Sequence, residues 1–421
     1  MTNSYMRILI YGLNYAPEPT GIGKYTGEMA AWLAAQGHTV DVICGLPHYP
    51  QWQLDPAYAD GRSRMEIRDR VTVRRAAHFV PSAEALTARA RIRLETGFTL
   101  SAARYWLPRF FSRRPDLVIA VMPPMQIGVW PLLFGWLRRV PWVLHVQDLQ
   151  VDAALRLNML NAGAFGKLLY RIEGFLLRHA TRVSTITESM RARIVAKGTP
   201  KARTWLFPNW ADIAAIRPGP RDNAFRRALG VADDTVVVLY AGNMGEKQGL
   251  EAVLHVADAC RDDTRLLFLM VGAGGARTRL ERRAAELALP NLRFLPLQPL
   301  EALGEMLAAG DIHLVVQRRD AADLVMPSKL TNILAAGRAC VATADAGTAL
   351  HDVVHGYDTG EVVTPGDDAA LTAAVRRLAH DGDRRDACGL RARAYAERHL
   401  DKQHLLSEFE NQLKTLCKQG S

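Results

Sequence analysis

The sequence predicts an α/β protein made of two doubly wound parallel-sheet domains that face each other across a cleft. Three observations carry this expectation. Short apolar runs alternate with helical patterns through both halves, as they do where a parallel sheet is covered on both faces. The leading run of each half ends on a glycine, Gly12 in one and Gly242 in the other. The chain has 421 residues, 49% of them hydrophobic, too many for one common domain and enough apolar material for two cores.

In the first half, Arg7-Ile-Leu-Ile-Tyr-Gly12 reads as a buried strand. A loop rich in Gly and Pro follows, then a helical pattern over 24–36 and a strand over 37–43. Apolar runs at 117–121, 142–146 and 183–186 continue the series. The second half repeats it with runs at 235–240, 266–271, 292–295, 312–316 and 339–343, the second ending at Gly272. Pro and Gly cluster over 208–220, which sets the domains at 1–208 and 209–383. The segment 384–421 reads as a helix packing back on the first domain. Open α/β sheets bind ligands at the carboxyl ends of their strands, so the cleft is the expected site.

Composition narrows the function classes. Charged residues are 23%, without a low-complexity block, which argues for folded domains. No apolar run approaches the roughly 20 residues of a membrane span, and the start lacks a signal-peptide layout. The five cysteines, Cys44, Cys260, Cys340, Cys388 and Cys417, form no Cys-x-x-Cys pair and read as reduced thiols of a cytoplasmic protein. The net charge of +10 is unevenly placed. Residues 1–200 hold 25 Lys and Arg against 14 Asp and Glu, and the rest hold 28 against 29. The first half therefore has an anionic partner, nucleic acid, anionic lipid or a phosphorylated substrate, or at least a basic face.

Ser328 and Lys329 follow Pro327 where a helix running to Ala336 begins, and a helix N-terminus offers free N–H donors to a phosphate. Lys247 and Lys329 add charge from two loops, as a diphosphate leaving group requires. The alternative is Ser328 as an ordinary N-cap beside two solvated lysines. Gly21 and Gly23, between the first strand and the first helix, suit either a tight turn or close approach of donor phosphate to backbone. Lys24 suits either a helix surface or a phosphate contact. Asp381-Gly-Asp383, the one Asp-x-Asp, reads as turn chemistry, so no metal site is expected.

Five segments in order give the chain a family resemblance: Thr20-Gly-Ile-Gly-Lys-Tyr25, Phe207-Pro-Asn-Trp-Ala-Asp212, Ala241-Gly-Asn-Met-Gly-Glu-Lys-Gln-Gly249, Val271-Gly272-x-Gly274, and Met326-Pro-Ser-Lys-Leu-Thr-Asn-Ile-Leu-Ala-Ala-Gly337. Spanning nearly the whole chain, they resemble the retaining GT-B glycosyltransferases of family four. Within that family Gly45-Leu-Pro-His-Tyr-Pro50, Val146-Gln-Asp-Leu149 and Val325-Met-Pro-Ser-Lys-Leu330 look like the group that builds colanic-acid-type exopolysaccharides, some of them regarded as fucosyltransferases. The resemblance implies a nucleotide-sugar donor, GDP-fucose ahead of GDP-mannose, a lipid-linked saccharide acceptor, and no cofactor. It implies donor contacts at Gly272, Ser328, Leu330, Lys247 and Lys329, and acceptor contacts at His48 and Tyr49. Asn243 stands where relatives often carry Arg, which passes charge neutralisation to Lys247, Lys329 and Arg318. The family's Glu-x7-Glu motif falls on Leu324 and Asn332; Asn332 still suits a ribose hydroxyl, and Asp320 or Asp323 is the substitute for the first glutamate. At the carboxyl end of a first-domain strand, Gln147-Asp148 takes the place of the family's His-Asp pair. Asp148 is then expected to orient the acceptor or stabilise charge on the sugar ring, with His145 a candidate two residues earlier.

Residues 84–114 mix arginine with aromatic side chains, and 130–139 repeats the mixture. Leu86, Ala90, Leu94 and Phe98 form one side of a helix beside Arg89 and Arg93. Trp106, Phe110 and Phe111 fall among Arg104, Arg109, Arg113 and Arg114. Such a stretch suits a lipid headgroup boundary, and places the protein peripherally at the inner face of the plasma membrane; the alternative is a core helix with a solvated basic face. A sugar-nucleotide 2-epimerase of the same architecture is the competing enzyme reading. A nucleic-acid-binding protein is the competing reading from charge alone, and no recognised motif for it is present.

Overall fold

The computed structural model describes residues 5–82, 85, 87–152, 163–319 and 327–419. The chain divides into two compact units, 1–207 with 406–421, and 208–405.

The first unit is built on an eight-stranded sheet in the order β3-β4-β2-β1-β5-β6-β7-β8. Its strands are β1 Arg7–Gly12, β2 Thr39–Gly45, β3 Arg64–Arg68, β4 Val71–Ala76, β5 Leu117–Met122, β6 Trp142–Val146, β7 Arg182–Thr185 and β8 Thr204–Leu206. All pairs are parallel except β3 with β4. Every residue of β5 and β6 is buried, which is why these strands read as continuous apolar runs instead of alternating ones. The helices α1 Gly21–Ala35, α2 Ala88–Ser101, α3 Ala103–Trp106 and α4 Val129–Arg138 belong to this unit. The arginine-rich stretch read as helical at Leu86, Ala90, Leu94 and Phe98 is thus helical from Ala88 and interrupted before its end. Thr87 caps α2 through Ala90 N, and a 3-10 turn, Leu107–Phe110, takes over where Pro108 removes a backbone donor.

The second unit carries six parallel strands in the order β11-β10-β9-β12-β13-β14. These are β9 Val236–Ala241, β10 Leu266–Val271, β11 Leu292–Leu295, β12 Ile312–Val315, β13 Ala339–Thr343 and β14 Gly360–Val363. Alternate residues of β9 enter different cores: Val236, Val238 and Tyr240 one, Val237 and Leu239 the other. This is the two-residue period of a strand buried on both faces. The strand order reverses between β9 and β12, and in the first unit between β1 and β5.

The C-terminal segment departs from the single helix expected over 384–421. It is two helices broken at Leu400–Asp401. The first, Gly382–His399, packs within the second unit: Arg393 donates to the carbonyls of Ile216 and Ala335, and Gly389 lies so close to Gly337 that a Cβ would come within 2.4 Å of its oxygen. Only from Leu406, within Lys402–Gln419, does the chain join the first unit, where Phe409 stacks on Phe207 at 3.9 Å and Glu410 meets His38 at 2.9 Å. The five cysteines are free thiols, four buried and Cys417 half-buried.

Candidate functional site

In the second unit the strand order reverses between β9 and β12, and the carboxyl end of an open α/β sheet at such a reversal is where ligands are expected. The turns after β9 and β10 pack backbone on backbone. A Cβ on Gly272, whose φ is +148°, would sit 2.0 Å from the Gly242 carbonyl oxygen. Any side chain there would push the two turns apart, so glycine is required.

Lys329 lies at this end of the sheet, against Tyr240 of β9. It is the second residue of helix Ser328–Ala335, and its Nζ donates to the Tyr240 hydroxyl at 2.8 Å while lying 4.0 Å from the centre of that ring. Tyr240 in turn donates to the Asn243 carbonyl at 2.6 Å. Among the described residues no carboxylate pairs with Lys329. Burial lowers its pKa to about 7, because a buried ammonium without a counter-ion is disfavoured. Burial raises the Tyr240 phenol, so tyrosine serves as a neutral relay from Lys329 to the Gly242–Gly245 turn. A side-chain cap is absent from the N-terminus of helix Ser328–Ala335, whose N-cap position is Pro327. Its first N–H groups and Lys329 therefore present an anion site from one element.

The other donor residues expected in this unit have different settings. Ser328 is exposed and opens the helix, so it is not the N-cap. Asn243 is exposed, with its amide beside Gly274 and Gly245. Arg318 is exposed and lies over Gly249, where a Cβ would approach Arg318 Cγ to 2.6 Å. Asn332 is half-buried one turn along the helix. Leu330 is a correction: its side chain is wholly buried in the core, because a helix on a sheet turns every third or fourth residue inward. Lys247 lies in the 3-10 turn Glu246–Gln248, and its side chain is outside the described residues, as are Asp320, Asp323, Leu324 and Leu86. Asp381 accepts from Arg384 N at 2.8 Å and so caps Gly382–His399, the turn role expected of it.

In the first unit, the carboxyl end of β1 leads to a second group of polar residues. Gly21 has φ +63° and lies against Tyr49, and a Cβ on Gly23 would strike Glu18 at 2.3 Å. Glu18 is buried. It accepts from the backbone N–H of His48 and of Tyr49, each at 3.1 Å, and from Asn14 Nδ2 at 2.9 Å. Burial raises its pKa to about 7 against these donors. One carboxyl thus ties the loop entering α1 to the loop after β2. Arg75, wholly buried on β4, donates to the Ala16 carbonyl at 2.5 Å and fixes the same loop. Sequence reasoning passed over Glu18, Arg75 and Tyr240; the one signal is the charge of Arg75 close to Val71 and Val73, and it points to Arg75 alone. His48 is buried, donates from Nδ1 to the Leu46 carbonyl at 2.9 Å, and is held neutral by burial, while Tyr49 is partly exposed. Lys24 lies on the side of α1, 3.9 Å from Glu28, in an ordinary helix ion pair.

Asp148 follows β6 at the carboxyl edge of the sheet and is half-buried. His145 is inside the sheet: Gln147 Nε2 donates to its Nε2 at 2.9 Å, and its Nδ1 meets Ser184 Oγ at 2.9 Å. Burial lowers its pKa to about 3. With both ring nitrogens engaged, its place is to orient Gln147 next to Asp148, not to meet a substrate.

The basic stretch needs a larger correction. Trp106 is fully buried, packed edge-on to Tyr11 at 5.2 Å and Phe134 at 5.5 Å, so it is core. Phe110 is half-buried on Phe134. Phe111, 91% exposed, and Trp136, 78% exposed on α4, are the outward aromatics. Arg89, Arg93, Arg113 and Arg114 are exposed, and Arg93 covers the ring of Phe79 at 4.3 Å. Arg109 is half-buried, donating to the Tyr105 carbonyl. Among the described residues no helix is long and apolar enough to cross a membrane, and no group of three His, Cys, Asp or Glu stands ready for a metal.

Comparison with known proteins agrees with this layout. Residues 20–210 match the family model of the glycosyl transferase 4-like domain, and residues 222–395 that of the glycosyl transferases group 1. The chain is 41% identical over 419 residues to the colanic acid biosynthesis glycosyl transferase WcaI of Escherichia coli K12, covering 97% of this chain and all of that one. Among solved structures it resembles Anabaena HepE in complex with UDP-glucose, with a TM-score of 0.69 at 16% identity over 98% of this chain and 100% of that one. It also resembles WaaG, a glycosyltransferase involved in lipopolysaccharide biosynthesis, with a TM-score of 0.65 at 15% identity over 97% and 99%.

Proposed function

We propose that this chain, which belongs to the family-four glycosyltransferases of the GT-B fold, transfers a sugar with retention from a GDP-sugar, GDP-fucose ahead of GDP-mannose, to a lipid-linked saccharide. It is a glycosyltransferase of exopolysaccharide biosynthesis by its family and its full-length relative. The observation that carries the donor reading is Lys329: a half-buried ammonium with no carboxylate partner among the described residues, at a helix N-terminus without a side-chain cap, where the strand order reverses.

As the sugar–phosphate bond breaks, negative charge gathers on the β-phosphate. Lys329 and the first N–H groups of its helix stabilise that charge, with Lys247 and Arg318 as the further cations and Gly242, Asn243 and Gly272 allowing close approach. The acceptor hydroxyl attacks from the face the diphosphate leaves, and a phosphate oxygen takes its proton. Asp148 orients the acceptor or stabilises charge on the ring. No metal enters this scheme, since the lysines and helix terminus do its electrostatic work. The exposed arginines and aromatics of the first unit support attachment to the inner face of the plasma membrane, where a lipid-linked acceptor resides.

A thermal-shift panel of GDP, UDP, dTDP and ADP tests the donor. The correct nucleotide at a hundred times its dissociation constant stabilises by about 2.7 kcal/mol. A shift with UDP and none with GDP would overturn the donor assignment. NMR of the product gives the anomeric configuration, and an inverted linkage would overturn retention.

A further inference from the structure

At the amino ends of β1 and β2 in the first unit, opposite the strand ends that carry Glu18 and Asp148, lies a cavity of about 410 Å3. Six arginines line it, Arg7, Arg74, Arg104, Arg109, Arg113 and Arg114, against one carboxylate, Asp41. Asp41 is already shared, 2.6 Å from Arg74 and 3.6 Å from Arg109, and Arg7 leans on Asp116 at 3.4 Å. Arg104 and Arg113 have no hydrogen-bonding or ionic partner among the described residues; Arg104 lies only beside the ring of Tyr105. Burial first, and the charge of Arg74 second, hold the Arg109 guanidinium below its ordinary pKa. Crowding this many like charges round one small space is unfavourable unless a multivalent anion enters.

We propose that this cavity binds a clustered phosphate group, a diphosphate or a phosphomonoester, and is separate from the donor site. The planar guanidinium fork matches phosphate oxygens two at a time, which a scatter of lysines would not do. The site's surroundings point to a lipid headgroup as the source. The segment that supplies most of the lining also exposes Leu107 and Phe111. Arg138 donates to the carbonyls of Phe110 and Ser112, which ties the last turn of α4, with exposed Trp136 and Leu137, to this segment. A phosphate held in the cavity thus has apolar side chains beside it to accompany an acyl chain. This step deepens the membrane reading given above, and free diphosphate is the other source of the same chemistry.

The experiment compares R104Q/R113Q with R62Q/K201Q, a pair of exposed residues elsewhere on the first unit that removes the same charge. Inorganic pyrophosphate is titrated into the full chain carrying K329A, so that the donor site is silent. In parallel, flotation is measured on phosphatidylcholine vesicles holding phosphatidic acid, a phosphomonoester, or phosphatidylserine at equal surface charge. R104Q/R113Q is expected to weaken pyrophosphate binding about thirtyfold relative to the control pair, from two basic residues. A preference for phosphatidic acid that the same variant abolishes assigns the headgroup as source. Pyrophosphate binding lost in that variant, with no such preference, assigns the free anion. Equal behaviour of the two double variants in both arms overturns the site, as does a parent that neither binds pyrophosphate nor prefers phosphatidic acid. Failure to float on any anionic vesicle, with the pyrophosphate result intact, sinks the membrane reading alone.

Discussion

Donor binding should become weaker as pH rises above about 7, and Lys329 should be the cause. Without ligand its pKa is lowered to about 7 by burial. A bound diphosphate favours the charged form and raises that pKa. Sugar-nucleotide diesters do not titrate in this range, so the lysine supplies the proton linkage. Below about pH 7 the ammonium is already formed and affinity is flat. Above it, each pH unit costs about 1.4 kcal/mol, or about tenfold in dissociation constant, until the pKa of the complex is reached. At about pH 8, roughly nine chains in ten hold a neutral Lys329, so binding should take up about 0.9 proton. Isothermal titration in two buffers of different ionisation enthalpy reads that number directly. Lys329→Met, which fills the space without charge, should bind weakly and show no pH slope. A dissociation constant unchanged from about pH 6 to about pH 9, or a slope that survives in K329M, would rule out Lys329 as the titrating group. The same depressed pKa has a consequence for the free protein: its stability should rise as pH climbs from about 7 toward the ordinary lysine value, since the unfolded chain binds the extra proton there.

Lys329→Ala should also lower turnover by about 3 kcal/mol while circular dichroism stays native, and near wild-type rates would remove it from the site. Glu18→Ala leaves two backbone N–H groups without their acceptor and should cost about 3 kcal/mol in stability, read by thermal melts; E18Q should recover most of it. Since the folded pKa of Glu18 is raised to about 7, its contribution is fully present below the unfolded value and lost as pH rises through about 7, and E18Q should flatten that window. Trp106→Ala should cost about 3–5 kcal/mol and lower the melting temperature, whereas Phe111→Glu should leave stability alone and reduce flotation on anionic vesicles; the reverse pattern would restore Trp106 to the surface. Activity should persist in excess EDTA, and its loss with rescue by magnesium or manganese would end the metal-free scheme.

The buried strands were legible because both their faces are covered. Leu117–Met122 and Leu266–Val271 are unbroken apolar runs, and among the described residues no other element hides six such residues in succession. Among the strands missed by pattern, which include the short β8 and β14, β3 and β4 hold Arg64, Arg68, Arg74 and Arg75. Their charges find partners only in the fold: Arg74 meets Asp41 and Arg75 meets Glu66. The helix start at Ser328-Lys329 and the close approach of the turns at Gly242 and Gly272 were legible, because Pro327 precedes the helix and backbone approach demands glycine. Tyr240 was not, since it is one apolar-looking residue of a strand until Lys329 reaches it from 89 positions away.

Period, local turns and local charge were enough to read the two sheets, the near-middle division and the helix start at Ser328 from the sequence. Tertiary structure decided which polar residues are buried and which aromatics face out. Trp106 and Phe111 are five residues apart in similar arginine-rich surroundings, yet one packs on Tyr11 and Phe134 and the other is open to solvent. Pro108 breaks the helix between them, and the direction each side chain takes after that break depends on the sheet and helix it meets.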